Sequence, residues 1–573
     1  MSQRWLIPVL LVSAACRPEA PPPAAGQAGR APSAAPPGLF REITERVGLG
    51  AVDLERAADG AYFMPDSMAG GAALADLDGD GRLDLFLAHG RWVDGAPAAD
   101  GLGRLFVQRE DGSFEERSAA AGVVGAHYAQ GVAAGDYDND GDVDLYVTCY
   151  GPDVLLRNRG AGTFEDVSVA AGVRGASGTA AWGTSVTFVD VDGDGHLDVF
   201  LTNYVDYPPR DQARDSRGMP EYPAPVNYRG VADVLLANLG DGTFRDVTAS
   251  AGLAGRAGRG LGVAALDLDD DGRVDLYAAN DAEANHAWLQ RVGGPPEAWR
   301  FEECALALGL ALSGDGRPEA SMGVARGDVD GDGVEDLCLT HLAQETHTLY
   351  LSRAAEGPRF ADRTVRAGLA APTVDWTGFG AALVDFDLDG ALDLACVHGR
   401  VLRGPVRAGA SEPARWQPYA EPDLLLRGVP GREPRFEVAD AGDFGRRVET
   451  SRGLAYGDLD GDGDVDVVVT TAAGKVRVYE NLCPSERRSA ALAVEVRLGQ
   501  RAALGATVAL QRDGRSERRV VHAAHGYLSS SEPTVRFAGP LEPDARLWVR
   551  WPDGVITEQP LGGERRARVT LTR

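Results

Sequence analysis

Cysteine is scarce, with six in 573 residues, too few for a disulfide framework. No CxxC pair and no Cys/His zinc spacing occurs. Cys149, Cys338 and Cys396 fall within or just after runs that read as buried strands. With Cys304 and Cys483 they are expected as small buried apolar residues, and an exported setting leaves one oxidised pair open. Basic residues are outnumbered 57 to 85, for a formal charge of −28. That excludes nucleic acid or an anionic membrane surface as the main partner and suits a protein that gathers cations. After the first residues no run is apolar enough to cross a membrane. No G-x-S-x-G, H-E-x-x-H or glycine-rich phosphate loop appears, so no catalytic residue is indicated. Acid pairs of the glycosidase kind stay open because aspartates are everywhere.

The chain begins like an export signal. Arg4 supplies the positive start, residues 5–12 are apolar, and Ser13, Ala14 and Ala15 lead to Cys16. Residues 1–16 resemble a bacterial lipoprotein signal, with Ser13 where leucine is usual. Lipid attachment at Cys16 is expected, with ordinary secretion as the alternative. Residues 17–38 are Pro/Ala/Gly-rich and read as an extended tether. The protein is thus expected to be a cell-envelope lipoprotein, at the outer membrane or surface, or to be secreted.

What is abundant is one repeated string, D-x-D-x-D-G-x-x-D, present seven times. Its aspartates are Asp76, Asp78, Asp80 and Asp84, then Asp136, Asp138, Asp140 and Asp144. Next come Asp190, Asp192, Asp194 and Asp198, followed by Asp267, Asp269, Asp271 and Asp275. The last three sets are Asp328, Asp330, Asp332 and Asp336; Asp385, Asp387, Asp389 and Asp393; and Asp458, Asp460, Asp462 and Asp466. Successive copies start 60, 54, 77, 61, 57 and 73 residues apart. A small-residue run precedes each loop and an alternating strand follows it, as in VDLYVTC or LDVFLTN. A second signature, F-x-x-x-(S/T/A), stands at Phe40, Phe114, Phe164, Phe244, Phe360 and Phe436. Each unit therefore reads strand, aspartate loop, strand, strand, glycine turn, strand. Seven such units predict an all-β chain with a seven-bladed β-propeller over 39–486. Closure is expected by pairing of its two ends, which removes the free sheet edge.

Calcium takes 6 to 8 oxygens at about 2.3–2.6 Å. Aspartates at positions 1, 3, 5 and 9, with a carbonyl from position 7, can surround one ion. Position 6 is glycine in all seven copies, as a sharp turn requires. Zinc or copper ligands would include Cys or His, and magnesium keeps more water. Up to seven Ca²⁺ ions are expected, as scaffold within the blades. EF-hands are excluded by the missing glutamate at position 12 and by the strand flanks.

These loops resemble the FG-GAP/VCBS repeats of integrin α-type propellers. Phrases such as NRGAGTFEDVS, SMGVARGDVDGDG and SRGLAYGDLDGDGDVD are similar, more closely, to the cartilage-acidic-protein-like family. That family ends in a small β domain called ASPIC/UnbV, which residues 487–573 resemble through ALGATV, HGYLSS and VRWPDG. RFAGPL departs from the usual tail pattern. The resemblance implies an exported calcium-binding protein of adhesion or extracellular interaction.

The strands after the loops should end on the opposite face, at His89, Cys149, Asn203, Asn280, His341, His398 and Thr471. Insertions 204–231 and 399–422 leave from that rim and carry aromatic and arginine residues, as recognition loops do. A protein or glycan ligand at the cell surface is expected there, without catalysis; loops that merely cover the propeller are the alternative. A metal site from His89, His341 and His398 is conceivable. Two other functions stay open: an exported hydrolase or lyase acting on glycans or phosphoesters, and an assembly factor for exported partners. The Arg-Gly-Asp string at 326–328 is not read as an adhesion motif, because Asp328 belongs to the fifth loop.

Overall fold

Each aspartate loop joins the first two strands of a four-stranded antiparallel sheet, and seven such sheets occur among the described residues. The computed structural model describes residues 38–573 apart from 56–60, 94–95, 175–181, 209–212, 353–358, 432, 513, 542–543 and 562–567. The signal 1–16, with Cys16, and nearly all of the tether 17–38 lie outside the described residues. In the first sheet the strands are Ala72–Ala75, Asp84–Ala88, Gly103–Gln108 and Phe114–Glu116. The first strands touch in cyclic order, from Ala72–Ala75 through Ala129–Gly135, Gly183–Val189, Gly260–Leu266, Val324–Gly327 and Gly378–Val384 to Ser451–Gly457. The last of these returns to Ala72–Ala75. This is a propeller, with its first strands around a central channel. The seventh sheet takes its outer strand from the other end of the chain: Phe40–Glu42 pairs with Val476–Asn481. The expected closure is found.

The repeat's small residues now have a cause. First strands approach so closely that a Cβ at Gly323 would overlap the carbonyl of Phe379, and one at Gly453 that of Gly70. Second strands such as DLFLA and DLYVTC are buried along their whole length, because apolar clusters fill the space between neighbouring sheets. The F-x-x-x-(S/T) signature starts the fourth strand and ends in a hydroxyl that accepts a third-strand N–H. Ser118 Oγ takes Leu105 N at 3.0 Å, Ser168 Oγ takes Leu155 N at 2.9 Å, and Thr44 Oγ1 takes Val478 N at 3.0 Å.

One blade is latched to the next through the end of the third strand. Asn158 Nδ2 donates to Leu77 O, and Asn238 Nδ2 to Tyr137 O, both at 2.8 Å. Gln108 Nε2 reaches Leu459 O at 2.8 Å, Gln290 Nε2 reaches Val191 O at 3.3 Å, and Asn481 Nδ2 reaches Phe386 O at 2.9 Å. In every case the acceptor is position 2 of the preceding blade's loop.

The C-terminal part consists of two four-stranded sheets. One contains Leu492–Leu498 and Arg568–Thr572, the other Thr507–Arg512, Arg515–Val520, Arg546–Arg550 and Ile556–Pro560. Leu492, Val508, Leu547 and Trp551 lie in their common core. From this tail a segment descends into the propeller channel. Ser530 pairs in parallel with Ala73. Gly526 exchanges backbone bonds with Val324 at 2.7 and 3.0 Å, Val132 N donates to Leu528 O at 3.0 Å, and Tyr527 Oη donates to Met68 O at 2.7 Å. Tyr527 and Leu528 are buried there.

Replacing Asn238 by alanine orphans the carbonyls of Tyr137 and Leu197, which its amide bonds at 2.8 and 3.0 Å. A loss of about 2 kcal/mol is expected, the usual cost of leaving buried acceptors unmet. Urea unfolding checks it: a lower midpoint at unchanged slope confirms the latch, and no shift refutes it.

Candidate metal centres on the loop face

The loops are built from hydrogen bonds to their own aspartates. Asp76 Oδ1 accepts from Gly79 N at 2.8 Å and Asp80 N at 3.0 Å, while Oδ2 accepts from Gly81 N at 2.9 Å. The position-6 glycines all have positive φ, from 87° at Gly81 to 101° at Gly463. The position-9 aspartate does more than the sequence reading assigned to it. Asp144 Oδ2 accepts from Tyr137 N at 3.1 Å in its own loop, and Oδ1 accepts from Asn158 N at 2.8 Å in the third strand. The same pair of bonds recurs at Asp84, Asp198, Asp275, Asp336, Asp393 and Asp466.

Three aspartates per loop bring oxygens within 4.8 Å of one another. They are Asp76, Asp78 and Asp84; Asp136, Asp138 and Asp144; Asp190, Asp192 and Asp194; Asp267, Asp269 and Asp271; and Asp328, Asp330 and Asp332. Positions 1 and 3 thus converge in all five of these loops, joined by position 9 in the first two and by position 5 in the next three. Position-5 carboxylates also brace the turn, as Asp80 Oδ1 does for Arg82 N at 2.9 Å.

The donor sets fit a hard cation. Oδ1 of Asp78, Asp269 and Asp387, all at position 3, is buried without a hydrogen-bond partner among the described residues. Burial pushes Asp84 and Asp275 up to about 7, Asp393 to about 8 and Asp144 to about 9, and neighbouring aspartates add to the rise. A positive ion among these oxygens would satisfy the orphaned atoms and relieve the repulsion.

The opposite rim differs from expectation. All seven strand-exit residues, His89, Cys149, Asn203, Asn280, His341, His398 and Thr471, are buried. His347, not singled out in the sequence, links the main chain at His341 to the imidazole of His398. His341 N donates to His347 Nδ1 at 3.3 Å, His347 Nε2 meets His398 Nε2 at 3.1 Å, and His398 Nδ1 donates to Pro422 O at 3.0 Å. These bonds assign both tautomers and occupy the ring nitrogens of His347 and His398. The insertions use much of their aromatic and arginine content on each other. Tyr222 stacks on Trp416 with centroids 5.9 Å apart, and Tyr419 Oη donates to Glu221 Oε1 at 2.5 Å. Arg326 is buried and pairs with Glu335 at 2.6 Å, so the Arg-Gly-Asp string is internal. Cys149, Cys338, Cys396 and Cys483 are buried, Cys304 is partly so, and all five are unpaired with one another.

The tail covers the loop face. Arg501, Arg550 and Arg518 donate to the position-6 carbonyls of three consecutive loops: Gly195 O at 2.7 Å, Gly272 O at 3.2 Å and Gly333 O at 3.2 Å. Two clefts remain on either side of the descending segment. One, of about 570 Å³, lies against loops three to six; the other, of about 520 Å³, lies against loops one, two and seven.

Residues 76–147 and 136–201 match the profile of the FG-GAP-like repeat, and residues 497–569 match that of ASPIC and UnbV. The chain is similar to cartilage acidic protein 1 of Homo sapiens, 25% identical over 356 residues, 59% of this chain and 48% of that protein. The Xenopus tropicalis protein is 25% identical over 404 residues, covering 64% and 54%. This chain spans about half the length of these curated relatives. A solved Agrocybe aegerita lectin that recognises non-reducing terminal N-acetylglucosamine covers 66% of this chain and 81% of its own, at 16% identity and TM-score 0.36. That likeness is too slight to carry an argument.

Without metal, the raised aspartates hold protons more tightly in the folded chain than in the unfolded one. Their stability is present at low pH and is lost as pH rises through about 7–9. In chelator the melting temperature should therefore fall between roughly pH 6.5 and 8.5. Buried His341 and His398, held down to about 4 and about 3, act in the opposite sense. Their contribution is present above the unfolded value of about 6.5 and is lost as pH falls below it. A melting series in chelator reads both limbs, and a flat alkaline limb contradicts the assignment.

Proposed function

We propose that this chain, which carries FG-GAP-like repeats and a C-terminal ASPIC and UnbV domain, is an exported calcium-binding propeller that acts as a surface interaction protein. The observation that carries the reading is the repeated oxygen-only pocket with its buried, partnerless position-3 oxygens. Calcium suits it better than magnesium, because the loop offers many protein oxygens, whereas magnesium keeps several waters. Up to seven ions, one per blade, stabilise the ring. Export follows from the N-terminal signal reading, with Cys16 as the lipid-bearing residue. Among the described residues no helix is long and apolar enough to cross a membrane. The printed name of the relatives, cartilage acidic protein, fits an extracellular setting.

The partner is read as a protein or glycan docking opposite the loops. Four large apolar residues on the two insertions are exposed there: Met219, Val226, Leu402 and Val406, at 51%, 57%, 61% and 56%. The insertions are tied by Arg403 N to Glu221 Oε2 at 3.2 Å, so these side chains sit on a fixed platform.

Titrating calcium into chelator-stripped protein is expected to show up to seven bound ions and a rising melting temperature. Each site at a hundredfold its Kd contributes about 2.7 kcal/mol. Asp78→Asn should remove one ion. An unchanged melting temperature with and without calcium would sink the scaffold reading. For the partner, Leu402→Glu should reduce capture of a purified envelope ligand while leaving calcium stoichiometry intact.

A further inference from the structure

The larger cleft, between the tail and loops three to six, has a lining suited to a ligand. Its roof is the tail sheet formed by Arg515–Val520, Thr507–Arg512, Arg546–Arg550 and Ile556–Pro560. Along one row of that sheet Arg518, Ala509 and Trp548 lie in register on three neighbouring strands. Alternation points all three to the same face, and all three line the cleft. Ala509 is the small member, so a gap opens between a guanidinium and an indole whose strands are two spacings, about 10 Å, apart. In the next row Arg550 and Ile556 are paired, and Ile556 is 59% exposed.

The polar groups here have unused capacity. Trp548 Nε1 is buried and has no hydrogen-bond partner among the described residues, a cost that an acceptor in the cleft would remove. Arg518 and Arg550 each spend one donor on a loop carbonyl, Gly333 O and Gly272 O, which fixes their position. Among the described residues Arg518 forms no ion pair, and the nearest carboxylate to Arg550 is Asp267 at 4.0 Å. A guanidinium has five N–H donors, so both keep donors for a planar anion. The floor carries Asp190, Asp267, Asp328 and Asp385, which on the proposed function hold cations, Glu335, which is paired with Arg326, and Asp270, which disfavours a doubly charged group. A carboxylate therefore fits better than a phosphate.

We infer that this cleft binds a carboxylate-bearing saccharide of the uronic acid type. A sugar ring lies against the Trp548 indole over Ala509, with Nε1 donating to a ring or hydroxyl oxygen. Its carboxylate is held by Arg518, and a neighbouring sugar contacts Arg550 and Ile556. This site is separate from the apolar platform on the opposite face, so either can fail without the other.

The test uses the full chain with calcium and three probes: a galacturonate trimer, maltotriose as a neutral trimer of similar size, and sodium sulfate. Binding is read by calorimetry and by indole fluorescence. The acidic trimer should bind and change the fluorescence. Trp548→Ala and Arg518→Gln should each weaken it at least about tenfold, while Trp548→Phe keeps part of the affinity. Arg501→Ala, which breaks a docking contact outside this cleft, should change it less than about twofold. The inference is overturned if the acidic trimer does not bind, if maltotriose or sulfate binds as tightly, or if Arg501→Ala weakens binding as much as Arg518→Gln. Unchanged melting of the variants certifies that they fold; if Trp548→Ala melts early, Trp548→Phe and Arg518→Gln decide.

Discussion

A buried carboxylate with two backbone N–H groups on it is the contact on which each blade depends. The position-9 aspartate opens the second strand, and one of its oxygens closes the loop behind it. The other oxygen catches the start of the turn out of the third strand. An aspartate is the right length for this, since its carboxylate stays close to the strand it leaves. Two N–H bonds per carboxylate offset part of the burial cost. The remainder appears as the raised proton affinity of these groups, which a bound cation would remove. Loop and sheet are therefore one construction, with the aspartate as the shared element, and in the first two loops it also joins the candidate cation site.

Much of this was legible because the chain repeats itself. Seven loops with glycine at position 6 announced seven turns, and the F-x-x-x-(S/T) signature announced a strand and its closing hydroxyl. Other features were hidden by side-chain context. The amide at the end of the third strand gave no sign of its role, because it bonds a carbonyl in another blade and varies between Asn and Gln. Position 4 also takes a positive φ in all seven loops, with Gly79, Asn139, Gly193, Asp270, Gly331, Leu388 and Gly461. The small and Asx residues there were a readable signal, which Leu388 obscures. His347 sits two residues before no motif at all and was found only through its contact with His398.

The rims reverse the impression left by composition. Aromatic and arginine residues on the insertions suggested an open recognition surface, yet Tyr222, Trp416 and Tyr419 are buried. Arg403 and Arg415 lie over Tyr62 at 5.5 and 5.3 Å. Long loops need a core of their own, and these residues supply it. What stays outside is the apolar remainder, Met219, Val226, Leu402 and Val406. On the loop face many acidic residues bond the backbone of their own loops; Arg501, Arg518 and Arg550 meet glycine carbonyls, while Arg487, Arg488 and Arg536 pair with Asp387, Asp462 and Asp458. Formal charge alone could not have placed either pattern.

The segment that fills the channel also dictates a sequence of events. The propeller is complete once Phe40–Glu42 joins Val476–Asn481, and every residue needed for that precedes the tail. A chain emerging from its amino end can thus shut the ring while residues 525–532 are still unmade or unexported. On that order the tail enters an already closed annulus from the loop side, as a hairpin rather than a threaded end. Until that segment arrives, Gly131 lacks its neighbour Leu528 and Gly453 its neighbour Ser529, while each still packs against an adjoining strand of the ring. A segment from late in the chain thus becomes the innermost one, with Tyr527 and Leu528 buried at the centre.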